Sequence, residues 1–135
     1  LEIYIMKKLT RTNYSIGDFL IRIKNAGMAG NKEVVAVTNT KVAALANTLK
    51  KMRILDTVAV KDGLITVTLA FQDKKPVLMD LRLVSKPGLR IYMTIADIEA
   101  KRGPSTFVIS TPKGVLSSKE AKKLRVGGEV IAEIW

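Results

Sequence analysis

Hydrophobic positions in the first 84 residues follow two periods, one of about 3.6 residues and one of two. Apolar side chains at helical spacing predict helices over residues 15–28 and 41–53, and the capping run Thr38-Asn39-Thr40 precedes the second. Alternating apolar and polar side chains predict strands over residues 33–38, 54–60, 64–71 and 77–84, and Asp62-Gly63 predicts a two-residue hairpin turn between the second and the third of these strands. The order α-β-α-β-β, followed by one further strand, is typical of a compact α+β unit.

The pattern after residue 84 is mostly that of β-strands. Strands are predicted over residues 89–94, 107–109 and 129–135, and Ser85-Lys86-Pro87-Gly88 predicts a type II turn. One short helix is predicted to begin at the capping box Ser117-x-x-Glu120 and to end by positive φ at Gly127-Gly128. The fold class is therefore α+β, with an N-terminal α+β domain at residues 1–84 and a C-terminal mostly β domain at residues 85–135.

In two of these strands, the alternation predicts which residues share a face of the sheet. Alternation within residues 77–84 predicts one shared face for Val77, Met79, Leu81 and Leu83. Alternation within residues 129–135 predicts that the apolar face is formed by Val130, Ala132 and Ile134. Glu129, Ile131 and Glu133 are then expected on the opposite face.

Charge and composition narrow the classes of function. The 135 residues include 23 Lys and Arg against 12 Asp and Glu, a net charge of +11, which favours nucleic acid as the partner and an anionic membrane surface second. The absence of Cys and His excludes disulfides, Cys or His zinc sites, thiol nucleophiles and a Ser-His-Asp triad. We expect no cofactor and no metal, and no enzymatic activity, because Asp80 and Glu129 are isolated carboxylates.

A membrane partner is disfavoured on two grounds. The apolar faces of the helices are needed for the core, and no apolar run approaches the length of about 18 residues that would span a bilayer. Leu1–Ile5 is too short, and wrongly ordered relative to Lys7 and Lys8, for a secretory signal, whereas Met6-Lys7-Lys8 is typical of a bacterial start.

The candidate chemistry lies in a basic, hydroxyl-rich loop over residues 110–114. Ser110 and Thr111 can donate and accept hydrogen bonds, Lys113 can pair with phosphate, and Gly114 allows close backbone approach. Glu129 follows the double glycine and would be repelled by phosphate, so it would accept from a base amino group or orient Lys113. A basic hairpin-like cap, with Glu129 paired to a nearby lysine, fits the same residues.

Three further positions are ambiguous from spacing alone. Tyr92 could stack on an unpaired base, or it could be half-buried in the core. Arg22 and Lys24 on the first helix could contact RNA, or they could form a solvated face.

Several ordered motifs resemble one known family. They are DFLIRIKNA at residues 18–26, SKPGLRIY at 85–92, ISTPKGV at 109–115, EA at 120–121 and GGEV at 127–130. Together they are similar to bacterial-type small-subunit ribosomal protein number eight (the S-eight family), in order from about Ser15 to Trp135.

The resemblance implies a structural constituent of the small ribosomal subunit. Family members bind a bulged helix in the central domain of small-subunit ribosomal RNA, assist assembly of the platform, contact neighbouring ribosomal proteins and often repress translation of their own operon. The resemblance places the protein in a cytoplasmic ribosome or an organellar one. The RNA contacts it implies are Ser110, Thr111, Lys113, Gly114, Glu129, Tyr92 and Lys86, with Arg22, Lys24 and Asn25 as weaker candidates.

Three positions depart from the family pattern. Pro112 stands where members usually carry a third hydroxyl, so one hydrogen bond and one backbone donor are lost there. Thr38-Asn39-Thr40 replaces the usual proline before the second helix, and residues 102–105 replace an apolar, glycine-containing approach to the loop.

Overall fold

The computed structural model describes residues 15–135, which divide into two compact units; the first ends at Val77 and the second is Leu78–Trp135. The interpretations of Leu1–Ile5 and of the Met6 start concern residues outside this described range. The helices are α1 Ser15–Met28, α2 Thr40–Lys51, α3 Ile95–Ala100 and α4 Ser118–Leu124. The strands are β1 Glu33–Val37, β2 Leu55–Lys61, β3 Leu64–Leu69, β4 Phe71–Gln72, β5 Lys75–Pro76, β6 Leu81–Leu83, β7 Tyr92–Met93, β8 Thr106–Thr111, β9 Gly114–Ser117 and β10 Gly128–Ile134.

The first unit has the order α-β-α-β-β that the sequence predicts, followed by the small hairpin β4–β5. Its antiparallel sheet has the order β1-β3-β2, and α1 and α2 bury the apolar stripe that the spacing indicated. The side chain of Asn39 caps α2 by accepting a hydrogen bond from the Val42 N–H at 2.9 Å. Asp62 and Gly63 take φ angles of 53° and 78°, the left-handed values of a type I′ hairpin turn. The two predicted helices and the hairpin that joins β2 to β3 are confirmed.

The second unit is organised around β10, the central strand of its sheet. β8 lies along one side of β10, while β6 and β7 pair with opposite ends of the other side. β9 extends the sheet beyond β8. Helices α3 and α4 contribute to a core of Ile98, Ile109, Leu116, Ala121 and Val130. The α+β class and the mainly β character of this half are confirmed.

The strand predicted over residues 77–84 is wrong in extent and in face. Met79 is 72% exposed and Val77 is also exposed, whereas Leu78 and Leu81 are buried. Asp80 breaks the alternation, because its carboxylate accepts a hydrogen bond from the Leu81 N–H at 2.8 Å. What remains is β6, which pairs with β10 in the second unit although the sequence placed it in the N-terminal domain. Alternation identifies a strand, but it does not identify the strand's partner.

The C-terminal segment differs from its prediction in four places. The strand predicted over residues 89–94 shortens to β7, and the loop predicted at 110–114 is a tight hairpin turn followed by β9, a strand the sequence analysis missed. Helix α4 ends at Arg125, which itself takes the left-handed φ of 56°, so Gly127-Gly128 does not supply the positive φ. In β10, an irregularity in register between Val130 and Ala132 buries Ile131, which was expected on the polar face.

Candidate nucleic-acid interface

A row of three predicted site residues crosses the sheet of the second unit. Glu129 lies opposite Tyr92 in the β10–β7 pair and opposite Ser110 in the β10–β8 pair. Ser110 in turn lies opposite Val115 in β9. Opposite residues of antiparallel strands have Cβ atoms about 4.5–5.5 Å apart and project from the same face. Three residues separated by up to 37 positions in sequence thus become neighbours.

This row faces away from the helices. Ile109, Leu116 and Val130 project toward α3 and α4 as part of the core, and successive side chains on a strand point to opposite faces. Ser110 and Glu129 are next to Ile109 and Val130 in their strands, so they project from the other face. Tyr92 is 67% exposed there, which rules out the half-buried core position considered for it.

Glu129 is paired within the protein. Its Oε2 lies 3.3 Å from Nη1 of Arg90, two residues before Tyr92. Glu129 therefore does pair locally, but with an arginine and not with the lysine that the sequence analysis considered. A carboxylate has about four lone-pair sites, so Glu129 can accept further hydrogen bonds while the ion pair persists.

The turn beside the row is built from Thr111, Pro112, Lys113 and Gly114. The Thr111 hydroxyl donates to the Gly114 carbonyl at 2.8 Å and accepts from the Lys113 N–H at 3.1 Å. Because its one hydrogen is used, Thr111 can meet a ligand only as an acceptor. Gly114 has a φ of 114°, which side chains rarely adopt, and Lys113 is exposed at the tip. Pro112 has the fixed φ that suits the second position of such a turn.

A second tight turn carries Lys86. The backbones of Lys86 and Leu89 exchange two hydrogen bonds of 2.9 Å, and Gly88 between them has a φ of 83°. Ser85 is fully buried, and its hydroxyl accepts from the Ile91 N–H at 2.9 Å. Ser85 also donates to the Ile91 carbonyl at 3.3 Å. The side chain at one end of the loop is therefore bonded twice to the backbone at the other end.

The double glycine was predicted to end the preceding helix. In the structure, Gly127 and Gly128 instead allow neighbouring backbones to pack closely. A Cβ on Gly128 would lie 2.9 Å from the carbonyl carbon of Ser110, closer still to its oxygen, and 3.1 Å from Cα of Thr111. A Cβ on Gly127 would meet the backbone of Met93 and Thr94. These glycines let β10 approach its neighbours closely where the row lies.

The weaker candidates lie on α1, in the first unit. Arg22 is paired with Asp18 at 2.8 Å, one turn earlier, and Asn25 is exposed. At 3.6 residues per turn, Arg22 and Asn25 lie about 60° apart around the helix, whereas Arg22 and Lys24 lie about 160° apart. The three residues therefore do not form one patch on α1.

Two residues of the site were not identified from sequence as contributors. Arg90 pairs with Glu129, and Ser85 closes the loop that carries Lys86. Arg90 lies two residues before Tyr92 in the strand predicted over residues 89–94, but the spacing did not show that Glu129 was its partner. In residues 15–135, no helix is long and apolar enough to cross a membrane, and no group of three or more acidic residues could hold a metal ion.

Comparison with known proteins agrees with the family resemblance that the sequence motifs indicated. The profile of the family described as Ribosomal protein S8 matches residues 14–135. The chain is 42% identical over 130 residues to Small ribosomal subunit protein uS8 of Chloroflexus aggregans, covering 91% of this chain and 98% of that protein. It is 43% identical over 130 residues to the protein of the same name from Chloroflexus aurantiacus, with the same coverage. It is 36% identical over 126 residues to that of Mycoplasmopsis synoviae, covering 89% of this chain and 96% of the relative. The chain therefore belongs to the ribosomal protein S8 family.

Proposed function

We propose that this protein is a structural component of the small ribosomal subunit and that its Leu78–Trp135 unit binds a bulged helix in the central domain of small-subunit ribosomal RNA. The observation that carries the proposal is the row Tyr92–Glu129–Ser110, which places an aromatic ring, a carboxylate and a hydroxyl side by side on one face. Membership of the family supports the ribosomal role. Assistance to platform assembly, contacts with neighbouring ribosomal proteins and repression of its own operon belong to the same proposal, as does a place in cytoplasmic ribosomes.

The row suits an irregular RNA better than a regular duplex. Sequence-specific recognition of RNA targets bases that are unstacked and splayed out, because the deep groove of an A-form helix is closed to side chains. Tyr92 offers an exposed ring on which such a base can stack. Glu129, beside it, accepts hydrogen bonds and so favours a base edge that carries an amino group.

The neighbouring groups fit the sugar–phosphate backbone. The Ser110 hydroxyl is exposed and can bond a ribose 2′-hydroxyl, which distinguishes RNA from DNA. Lys113 and Lys86 are exposed at the tips of two tight turns and can neutralise phosphates. Thr111 contributes as an acceptor, and Gly114 leaves the backbone of the turn accessible. Arg22, Lys24 and Asn25 would add phosphate contacts from α1.

The test is a comparison of two RNAs at two salt concentrations. Binding of the bulged central-domain helix is measured against an unrelated duplex of equal length. We expect a preference for the bulged helix that persists at the higher salt, because base and ribose contacts do not depend on counterion release. The double variant Ser110→Ala, Glu129→Ala should lose that preference.

A matched control is available on the sheet of the first unit. The double variant Thr57→Ala, Glu33→Ala also removes one hydroxyl and one carboxylate and changes the net charge equally, but it lies outside the proposed interface. It should retain the preference. Equal affinity of the wild-type protein for both RNAs, vanishing with salt, would show a basic protein that binds polyanions without specificity, and the proposed RNA target would be wrong.

A further inference from the structure

We propose that Arg90 is a positioning residue for RNA binding, which acts by neutralising and orienting Glu129. The inference rests on the proposed function, since it concerns how a carboxylate can lie inside a surface that meets a polyanion. Arg90 would need no direct contact with RNA to act in this way.

An unpaired Glu129 would oppose binding. It lies between Tyr92 and Ser110, on the face that the proposed RNA covers. Bringing phosphates toward an uncompensated carboxylate is repulsive, and the repulsion grows as the interface excludes water. The guanidinium of Arg90, with its Nη1 3.3 Å from Glu129 Oε2, supplies the opposite charge at that position.

The pair is held in place by its backbone. The Ile91 carbonyl, directly after Arg90, accepts from the Val130 N–H at 2.8 Å, and Val130 directly follows Glu129. Ile91 is also held on the other side by the buried hydroxyl of Ser85, at 2.9 Å from its N–H. Most exposed ion pairs contribute little because both side chains must be ordered. Here the backbones on both sides are already fixed, and Glu129 is only 24% exposed.

The arrangement leaves Glu129 able to do more than pair. The ion pair uses Oε2, so the carboxylate is oriented and its remaining lone pairs can accept from a base. Arg90 thus acts on the RNA through Glu129, and its removal should weaken binding strongly only while position 129 is negatively charged.

The experiment is a double-mutant cycle with Arg90→Gln and Glu129→Gln, read out as affinity for the bulged central-domain helix. In the protein with Glu129 intact, Arg90→Gln should weaken binding about 10- to 100-fold, as expected for an uncompensated charge a few ångströms from phosphate. In the Glu129→Gln background, the same change should weaken binding only about threefold, the effect of lowering the net charge by one. Arg90→Lys should retain most of the affinity, because it keeps the charge.

Arg82→Gln is the matched control. Arg82 pairs with Glu133 at 2.7 Å in the same sheet, and Glu133 also accepts from the Ser105 hydroxyl at 2.6 Å, away from the row. This variant removes the same charge and also breaks an Arg–Glu pair, but its effect should be about threefold at most and similar for the bulged helix and the duplex. Thermal melting of each variant checks that the fold is intact, as expected from the 44% exposure of Arg90.

The outcomes separate the two proposals. Equal weakening by Arg90→Gln in both backgrounds would show that Arg90 contacts phosphate directly, and it would overturn the positioning role while leaving the RNA interface intact. A wild-type protein without preference for the bulged helix would overturn both.

Discussion

Gly128→Ala is the substitution for which the structure gives the sharpest expectation. The added methyl group would lie 2.9 Å from the Ser110 carbonyl carbon, closer to its oxygen, and 3.1 Å from Cα of Thr111. All three atoms belong to the backbone of β8, so no flexible side chain can yield. Either β10 or β8 must shift at the point where Glu129 and Ser110 lie side by side.

The size of the effect follows from the position of β10. Overpacking a rigid site destabilises a protein by about 1–3 kcal/mol, and occasionally more. Because β10 is paired on both sides, a shift weakens two ladders, and we expect a value of about 3 kcal/mol, at the upper end. For a chain of this length, that loss lowers Tm by roughly 10 °C. Separation of Ser110 from Glu129 should also weaken binding to the bulged RNA, measured well below Tm so that the protein is folded.

Gly27→Ala is a control for which we expect no decrease in Tm. Gly27 lies inside α1, and its Cβ would be 3.4 Å from Leu69 Cδ2 and 3.5 Å from Pro76 Cβ, which are ordinary contacts. Alanine favours a helix over glycine by about 0.8–1 kcal/mol, so Tm should stay constant or rise. Thermal melting of both glycine variants, followed by circular dichroism, tests these two expectations. Unchanged Tm and RNA affinity for Gly128→Ala would refute the view that the double glycine permits close strand approach.

Three further predictions concern the surroundings of the row. Ser85→Ala leaves the Ile91 N–H without its buried acceptor; it should destabilise the protein by about 1–3 kcal/mol in urea unfolding and weaken RNA binding, and unchanged stability would contradict the closing role of Ser85. Tyr92→Phe should retain RNA affinity whereas Tyr92→Leu should lose about 1–3 kcal/mol, and equal losses would show that the hydroxyl, not the ring, makes the contact. Two hydrogen bonds from Thr94 lower the pKa of Asp97 below its ordinary 3.8. Their contribution to stability is therefore complete above that value and disappears as pH falls through the lowered pKa, so the Tm difference between wild type and Asp97→Asn should narrow from pH 7 to pH 2; a constant difference would contradict this.

Local chemistry was enough to predict the elements of the first unit. The helix at Ser15–Met28, the cap at Asn39 and the Asp62-Gly63 turn each depend on residues close together in sequence. Prediction was poorer where a distant partner decides the outcome. The strand predicted over residues 77–84 shortens to β6, whose partner β10 lies near the end of the chain, and Met79, which fits an alternating strand, is exposed.

The same division holds for the candidate site. Composition and motifs alone gave the basic charge, the family resemblance and the residue types proposed to contact RNA, because charge and hydroxyl chemistry are properties of single residues. The tertiary structure alone decided that Glu129 lies between Tyr92 and Ser110, and that Arg90 is its ion-pair partner. It also showed that Gly127-Gly128 permits close approach and that a left-handed Arg125 ends α4. Strand register joins residues far apart in sequence, and it is fixed by backbone pairing and core packing across the whole sheet, which no local pattern contains.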